Sequence, residues 1–262
     1  MRTRRRWSGT ARWDEAARWD LVVPHHLLGT WLAVLAFGLL AHTVPFDPGP
    51  LHRPAVSAPA LPAPPAVAAV QTTVTGTPSG SLVVALTFDD GPDPRWTPRV
   101  LDLLERHGAV ATFCVVGDNA ERHPDLVERI LEAGHRLCHH TDDHDAALAA
   151  RPRTEIEREL VGLRDRLAPV TVFRAPEGRW SEALVASAAG LGMQPLGWSV
   201  DSRDWRRPGV AEIVRRVQQD VHPGAVVLLH DGGGDREQTI GALELLLPWL
   251  AAHCYTPGFA SP

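Results

Sequence analysis

From residue 82 onward, apolar residues follow two alternating patterns. Short continuous apolar runs are typical of buried strands, and longer stretches with apolar positions every three or four residues are typical of helices. The predicted strands are Leu82–Phe88, Val110–Val116, His135–Cys138, Val170–Phe173, Gln194–Val200 and Ala225–Leu229. The predicted helices are Thr97–His107, Pro124–Ala133, Thr154 to about Leu167, Ser181–Leu191, Val210–Asp220 and Arg236 to about His253. Strands that alternate with helices in this way predict parallel βα units.

Residues that favour helix ends support several of these boundaries. Pro98 suits the first position of a helix and Gly108 suits its end, while Thr154 and Glu157 have the spacing of a capping box. The order of elements fits both a barrel-like closure and an open doubly wound sheet. Periodicity alone does not separate these two architectures.

The first 80 residues have a different pattern. Residues 21–46 contain no Asp, Glu, Lys or Arg, and a segment of this length can cross a membrane once. The arginine-rich residues 1–20 predict a cytoplasmic N-terminus, with the rest of the chain outside the membrane. We expect a single-pass signal-anchor; a cleaved signal peptide, which would give a secreted protein, and a buried core helix are the alternatives. Residues 47–80 are rich in Pro, Ala, Ser and Thr and predict a linker, followed by a folded domain at 81–262.

Composition narrows the classes of function. The formal net charge is −5, so no basic surplus indicates a nucleic-acid partner. The three cysteines, Cys114, Cys138 and Cys254, contain no CxxC pair, which argues against a disulfide framework and against a four-cysteine zinc site. One disulfide with one free thiol is compatible with the sequence, which does not determine the pairing.

Clusters of polar residues follow five of the six predicted strands. They are Asp89–Pro92, His139–His144, Arg174–Gly178, Asp201–Trp205 and His230–Asp231. In parallel α/β proteins the carboxyl ends of the strands share one face, and active sites lie there. The five clusters are therefore expected to converge on one site.

The first two clusters contain candidate metal ligands. His140 and His144 are four residues apart, which would place both imidazoles on one side of a helical turn; alone, such a pair is more often surface decoration. Asp89 and Asp90 end a predicted strand, and an ordinary Asp-Gly turn would explain Asp90 but not Asp89. Adjacent side chains point in different directions, so one carboxylate could bind a metal while the other acts as a base. Two histidines and one carboxylate leave coordination positions open, as hydrolytic zinc sites require.

The remaining clusters contain candidates for acid–base chemistry and for substrate contact. Arg174 could orient a carboxylate, although a surface ion pair of little energetic value is the simpler interpretation. His230 could be a buried core histidine or, beside a metal, a general acid oriented by Asp204. Trp205 could face a sugar or an acetyl group, or pack in the core.

These motifs, in this order, resemble the polysaccharide deacetylases, also called carbohydrate esterase family four. The resemblance extends from about Leu82 to Leu250. The matching residues are Thr87–Pro92 (TFDDGP), His140–His144 (HTDDH), Arg174 with Pro176 and Gly178, Asp201 with Asp204 and Trp205, and Leu228 with His230. The family fold is a distorted (β/α) barrel, and the resemblance implies that fold here.

The resemblance also implies a role for each matching residue. Asp89 would be the catalytic base and Arg174 its partner, while His230 would be the acid and Asp204 would position it. The implied metal ligands are Asp90, His140 and His144, with Zn²⁺ as the expected ion. The implied substrate-binding residues are Trp205, Pro176, Glu177 and Leu228.

Two residues depart from the family pattern. Glu177 stands where the family usually has an aromatic residue, often Tyr, whose backbone N–H contributes to the oxyanion hole. A carboxylate there would oppose the developing negative charge unless it points away from the site. His139 stands where the family usually has Asn before the first histidine ligand, and we do not expect it to bind the metal.

The expected function is metal-dependent removal of acetyl groups from N-acetylated sugars of an envelope polysaccharide. Peptidoglycan is the expected substrate because a tethered domain reaches the wall nearby, and a chitin-like polymer is the other expected partner. A carbohydrate-binding protein with weak or no turnover, a hydrolase of other amides on the same scaffold, and a structural envelope protein are the alternatives. The sequence does not indicate an oligomeric state.

Overall fold

Gly76 and residues 82–166 and 170–260 are described by the computed structural model. The predicted basic N-terminus at 1–20, the predicted anchor at 21–46 and nearly all of the predicted linker at 47–80 lie outside the described residues, so they stay predictions. Among the helices within the described ranges, none has the length and apolar character needed to cross a membrane.

The strands of the described residues form one parallel sheet. They are β1 Val83–Asp89, β2 Thr112–Val115, β3 Arg136–His139, β4 Val172–Phe173, β5 Gln194–Pro195, β6 Val200–Asp201, β7 Val226–His230 and β8 Thr256–Gly258. Their order across the sheet is β5-β4-β3-β2-β1-β7-β6, and β8 pairs with the first residues of β1. Each of these pairings is parallel, which confirms the predicted βα units.

The sheet curls because its two edges are joined by a short segment. β5 and β6 lie at opposite edges, although only residues 196–199 separate them along the chain. That connection spans about 17 Å at most, whereas seven flat strands at about 4.8 Å each would place the edges roughly 29 Å apart. The sheet is therefore a curled half-barrel. The prediction of one strand from Gln194 to Val200 is wrong, because the backbone pairs with β4 at one edge and then with β7 at the other.

Helices cover the outside of the curl. They are α1 Thr97–Arg106, α2 Gly117–Arg122, α3 Pro124–Glu132, α4 Arg153–Arg166, α5 Glu182–Gly190, α6 Val210–Asp220 and α7 Glu237–Ala252. Short 3-10 turns occur at 148–150, 176–178 and 204–206.

Three local features differ from the sequence prediction. α2 was not predicted because its only apolar side chain is Ala120, so it has no periodic apolar face. β8 was not predicted because it contains Pro257 and Gly258, both rare in strands. α4 begins at Arg153, one residue before Thr154, so Thr154 lies inside the helix and the predicted capping box is wrong.

Side chains along β1 point alternately to the apolar core on the outside of the sheet and to the interior of the curl. Val84, Leu86 and Phe88 pack in the large apolar core beneath α1, α3, α6 and α7, whereas Ala85 belongs to a smaller inner cluster. Side chains alternate along a strand, so Thr87 and Asp89 share the inner face with Ala85. The inner face is therefore the one that carries reactive side chains.

The inner cluster also contains two of the three cysteines. Cys114 on β2 and Cys138 on β3 are paired in register and form a disulfide. Cys254 is a free, exposed thiol. One disulfide with one free cysteine, which the sequence left open, is thus the arrangement in the structure.

Candidate active site

Asp89 and His230 end two neighbouring strands at the centre of the sheet. β1 and β7 pair with Asp89 opposite His230 and Thr87 opposite Leu228. All four side chains lie on the inner face because residues two apart on a strand point the same way. The register therefore places the predicted base and the predicted acid side by side, with Leu228 one step below.

Arg174 follows β4 and is fully buried. Its Nη1 donates to Oδ1 of Asp89 at 2.6 Å and to Oγ1 of Thr87 at 2.9 Å. Its Nε and Nη2 donate to the carbonyl oxygens of Leu196 at 3.1 Å and Gly197 at 2.9 Å, in the segment that joins the two sheet edges. The guanidinium thus orients Asp89 through a short charge-assisted bond. The alternative of a surface ion pair is wrong.

Asp90, His140 and His144 converge on one point. Oδ1 of Asp90 lies 3.5 Å from Nε2 of His140 and 3.2 Å from Nε2 of His144. A tetrahedral zinc ion with bonds of about 2.0–2.1 Å separates its ligand atoms by about 3.3 Å, so the spacing fits such an ion. Oδ1 of Asp90 is buried, and no described residue forms a hydrogen bond with it. The three predicted ligands therefore form a candidate metal centre.

The two histidines converge without a helix. Thr141 and His144 have φ angles of 65° and 58°, and no helical residue occurs between 141 and 147. Oγ1 of Thr141 accepts the N–H of His144 at 3.0 Å and closes the turn. The expected helical turn is wrong, although the two imidazoles do lie close to each other and to Asp90.

Hydrogen bonding determines which nitrogen of His140 is free. Nδ1 of His140 donates to the carbonyl oxygen of Arg174 at 2.8 Å, so Nε2 remains as the ligand atom. Burial lowers the pKa of His140, but the nearby carboxylates of Asp89 and Asp90 outweigh it and raise the pKa above its usual value. A proton on Nε2 of His140 would compete with a metal ion, so metal affinity should decrease as the pH falls.

The environment of Asp90 favours the ionised form that a metal requires. Burial raises the pKa of Asp90, but the nearby imidazoles of His140, His230 and His144 outweigh burial. The net effect lowers the pKa well below its usual value.

His230, which is partly buried, pairs with the buried carboxylate of Asp204. Nδ1 of His230 lies 2.7 Å from Oδ1 of Asp204, and the backbone N–H of His230 donates to Oδ2 at 2.9 Å. Burial lowers the pKa of His230, but Asp204 outweighs burial and raises it to about 9. At neutral pH His230 is protonated, with Nε2 left as its free donor. This state suits a general acid.

In the turn at 176–178, the carboxylate of Glu177 extends toward Arg179 at the surface. Glu177 has a φ of 53°, and its half-exposed carboxylate pairs with Arg179 at 2.9 Å. No described residue accepts the backbone N–H of Glu177, and an unpaired N–H is what an oxyanion donor requires. Pro176 is buried beneath the turn. The departure at Glu177 therefore leaves the backbone donor available.

Gly178 completes this turn in a conformation that disfavours other residues. Its φ is 65°, and an added Cβ would lie 2.6 Å from the ring of Trp198. Trp198 in turn lies over the guanidinium of Arg174, at 5.7 Å from ring centroid to Cζ. The close packing joins the turn to the residue that orients Asp89.

Trp205 is exposed over 45% of its surface, so core packing does not explain it. It belongs to the same short turn as Asp204, which is buried. The other acidic residue of the motif, Asp201, accepts the backbone N–H of Arg203 at 2.9 Å. No described contact joins Asp201 to the acid or the base. Asp204 is therefore the acidic residue of this motif that contacts His230, and Trp205 is its exposed neighbour in the chain.

Several supporting residues were missed in the sequence. Nδ2 of Asn119 donates to the carbonyl oxygen of Asp90 at 2.8 Å, and Oγ1 of Thr239 donates to Oδ2 of Asp204 at 2.8 Å. Oγ1 of Thr97 donates to the buried carboxyl group of Asp231 at 2.5 Å, and burial raises the pKa of Asp231 to about 7. Asp231 belongs to a polar cluster that the sequence indicated, but no role was predicted for it. Asn119, Thr239 and Thr97 lie outside every such cluster, and no spacing in the sequence indicated their contacts.

His139 is not placed as a metal ligand. Its Nδ1 accepts the backbone N–H of Thr141 at 3.1 Å, and its Nε2 lies 2.9 Å from the carbonyl oxygen of Leu160. Both ring nitrogens therefore face the backbone, in agreement with the expectation from the sequence.

Several known proteins are similar to this chain in sequence. Residues 76–196 match the sequence profile described as polysaccharide deacetylase. The chitooligosaccharide deacetylase of Sinorhizobium fredii is 41% identical over 192 residues, which cover 67% of this chain and 87% of that protein. A peptidoglycan-N-acetylglucosamine deacetylase of Bacillus cereus is 39% identical over 184 residues, covering 68% and 86%. The chain belongs to the polysaccharide deacetylase family.

The fold of this deacetylase agrees with the assignment. The solved structure of a peptidoglycan N-acetylglucosamine deacetylase superimposes with a TM-score of 0.67 at 32% identity, covering 71% of this chain and 89% of the other. The predicted family and the predicted class of enzyme, a polysaccharide deacetylase acting on amide bonds, are confirmed. The curled half-barrel agrees with the predicted (β/α) architecture, and the family's metal dependence agrees with the cluster around Asp90.

Proposed function

We propose that this deacetylase hydrolyses the acetamido group of N-acetylglucosamine residues in peptidoglycan, with Asp89 as base and His230 as acid. The observation that supports this proposal best is the register of β1 and β7. It places Asp89 and His230 opposite each other, beside the ligand atoms of Asp90, His140 and His144. Base, acid and candidate metal centre thus lie together at the carboxyl ends of β1, β3 and β7.

The candidate metal centre would hold a divalent ion, and we propose Zn²⁺. The buried, unpartnered Oδ1 of Asp90 and the two Nε2 atoms that face it are a fitting donor set. When bound, such an ion supplies Lewis acidity to the acetyl carbonyl group and to the attacking water.

The two oxygens of Asp89 have different roles. Arg174 holds Oδ1 at 2.6 Å, while Oδ2 has no hydrogen bond with any described residue and lies 3.7 Å from Nε2 of His140. Oδ2 is therefore the atom that accepts a proton from water as the water oxygen adds to the carbonyl carbon. The N–H of Glu177 donates to the carbonyl oxygen as negative charge develops there.

His230 completes the reaction from the neighbouring strand. Its bond to Asp204 keeps Nδ1 occupied and orients the ring, so the proton on Nε2 is the one transferred. That proton passes to the sugar nitrogen as the carbon–nitrogen bond breaks. Acetate and a free amine are the products.

The choice of peptidoglycan rests on the relatives and on the predicted anchor. One reported relative acts on peptidoglycan and another on chitooligosaccharides, so similarity alone does not separate these substrates. A membrane anchor at 21–46 and a linker at 47–80 would keep the domain beside the cell's own wall. A chitin-like oligosaccharide is the second candidate, favoured by the relative from Sinorhizobium fredii.

The decisive experiment measures acetate released by the full-length, Zn²⁺-loaded chain. The substrates are muropeptide-derived N-acetylglucosamine–N-acetylmuramic acid oligomers and chitooligosaccharides of equal length, each with and without a chelator. We expect chelator-sensitive acetate and a higher kcat/KM on the peptidoglycan oligomers, with no turnover by Asp89→Asn. A folded, zinc-loaded protein that binds the sugars but releases no acetate would favour the carbohydrate-binding alternative. Turnover of chitooligosaccharides alone would contradict the substrate but not the chemistry.

A further inference from the structure

Arg206 is an exposed arginine two residues after Asp204, and it lies against the ring of Trp205. Its Cζ lies 4.5 Å from the ring centroid of Trp205, and no described residue forms an ion pair or a side-chain hydrogen bond with it. Its neighbours differ: Arg203 lies 3.8 Å from a carboxylate oxygen of Asp201, and Arg207 lies 4.0 Å from one of Asp235. A guanidinium that lies on an aromatic ring keeps its N–H donors at the ring edge available for a ligand.

The backbone fixes Arg206 close to the acid of the reaction. Arg206 is two residues from Asp204, so their Cα atoms are about 7 Å apart at most, and Asp204 is bonded to His230 at 2.7 Å. Arg203 and Arg207, which flank the turn, have φ angles of 55° and 54°. Positive φ is unfavourable for residues other than glycine and persists where the surrounding structure requires it. The turn thus buries Asp204 and exposes both Trp205 and Arg206.

We infer that Trp205 and Arg206 form a subsite for a carboxylate-bearing sugar next to the reacting N-acetylglucosamine. Planar guanidinium groups bind carboxylates with two parallel hydrogen bonds, and the exposed indole offers an apolar face to a sugar ring. Because the chain has a net charge of −5, an anionic glycan needs a local cation to approach. The carboxylate is that of the muramic acid lactyl group or of the peptide attached to it.

This inference rests on the proposed function and adds a basis for selectivity. A neutral chitooligosaccharide has no group for Arg206 to bind, whereas a muramic acid neighbour does. The contact lies at the border of the site and exists both before and during the reaction, so it should lower KM more than it changes kcat.

The test compares glycans that differ only in charge. The full-length, Zn²⁺-loaded chain is assayed on an N-acetylglucosamine–N-acetylmuramic acid tetrasaccharide with a free lactyl carboxylate, on the same glycan capped as the lactyl methylamide, and on one capped with alanine. We expect a higher kcat/KM for an anionic glycan than for the methylamide. The selectivity ratio is kcat/KM for the anionic glycan divided by kcat/KM for the methylamide, and Arg206→Gln should reduce it about five- to tenfold through KM. The lactyl and alanyl glycans distinguish which carboxylate is bound.

A matched control is Arg106→Gln. Arg106 is exposed and ends α1, whose N-terminus follows β1, so it lies at the opposite end of the sheet from the site. This variant should leave the selectivity ratio unchanged. Raising the salt concentration should reduce the ratio of the wild type more than that of Arg206→Gln, since screening weakens exposed charge pairs.

The failures of the two proposals are distinguishable. No acetate from any of these glycans or from chitooligosaccharides would contradict the proposed function, and this inference with it. If acetate is released from both the anionic glycans and the methylamide, and the selectivity ratio is the same in wild type and Arg206→Gln, the subsite is overturned and the proposed function stays intact. A wild-type preference for the methylamide would also overturn it.

Discussion

At the scale of single residues, Asp89 and Asp90 are neighbours in sequence with different surroundings. Asp89 ends β1 on its inner face, where Arg174 occupies one oxygen. Asp90 has a φ of 71°, which turns its side chain toward His140 and His144. The change of backbone conformation between the two residues separates the proposed base from the proposed metal ligand.

This separation predicts different outcomes for two isosteric substitutions. Asp89→Asn should lower kcat by about 10²–10⁴-fold, because the amide cannot accept the proton, and should retain zinc. Asp90→Asn should lose zinc as well as turnover, because a neutral amide is a weak ligand. Zinc content per chain and acetate release measure both effects. Loss of zinc in Asp89→Asn would show that the two roles are assigned the wrong way round.

The His230–Asp204 pair predicts the alkaline side of the pH profile. His230 donates a proton, and Asp204 raises its pKa to about 9, so turnover should persist below that pH and decline as the pH rises through it. Asp204→Asn removes the negative charge that raises the pKa of His230. The pH at which turnover declines should then shift toward the usual histidine pKa of about 6.5.

The measurement is kcat from pH 6 to 10.5 with the metal site saturated. Thr239→Val, which removes one hydrogen bond to Asp204 but keeps its charge, should move the decline much less. An alkaline decline at the same pH in wild type and Asp204→Asn would exclude His230 as the titrating acid.

At the scale of elements, the segment at 196–199 converts a sheet into a half-barrel. It carries the chain from one sheet edge to the other, and Arg174 bonds its carbonyl groups as well as Asp89 and Thr87 on β1. The same buried guanidinium therefore links the curl of the sheet to the geometry of the base.

Replacing Arg174 should consequently affect stability and not only turnover. Arg174→Leu should lower the free energy of unfolding by about 3–5 kcal/mol, because it leaves a buried carboxylate without its cation. Arg174→Lys should cost less, since an ammonium group can still pair with Asp89 but does not reach all of the acceptors. Chemical denaturation of the zinc-loaded protein measures both changes.

Arg153→Leu is the control for this measurement. Arg153 is an exposed arginine on α4 that pairs with Glu157 at 2.7 Å, and its loss should change stability by about 0.5 kcal/mol or less. Equal stabilities of Arg174→Leu and Arg153→Leu would contradict the structural role of Arg174.

At the scale of the whole molecule, the proposed location depends on residues before the folded domain. The uncharged segment at 21–46, preceded by arginines, predicts that the full-length chain sediments with membranes. Deletion of residues 1–46 should move it to the supernatant. Protease added to intact cells should degrade the domain, because the flanking charges predict that it lies outside. If the expressed protein is found in the supernatant with a reduced mass, the segment is instead a cleaved signal peptide.

Much of the site could be predicted because its residues follow strands in the sequence. Asp89, His140, Arg174 and His230 each come at or directly after a strand end, and parallel strands bring such ends together whatever the details of the sheet. The partners from helices could not be predicted. Thr239 reaches Asp204 across 35 residues, and Asn119 lies on a helix without a periodic signal.

The sequence by itself determined the family, the βα order and the candidates for the reactive side chains, because these depend on local residue types and on alternation along single strands. The tertiary structure decided what depends on contacts between distant segments. It divided 194–200 between two sheet edges, bonded Arg174 to Asp89 across 85 residues and paired Cys114 with Cys138. Such contacts exist only after the sheet has curled, and the curl is a property of all strands together.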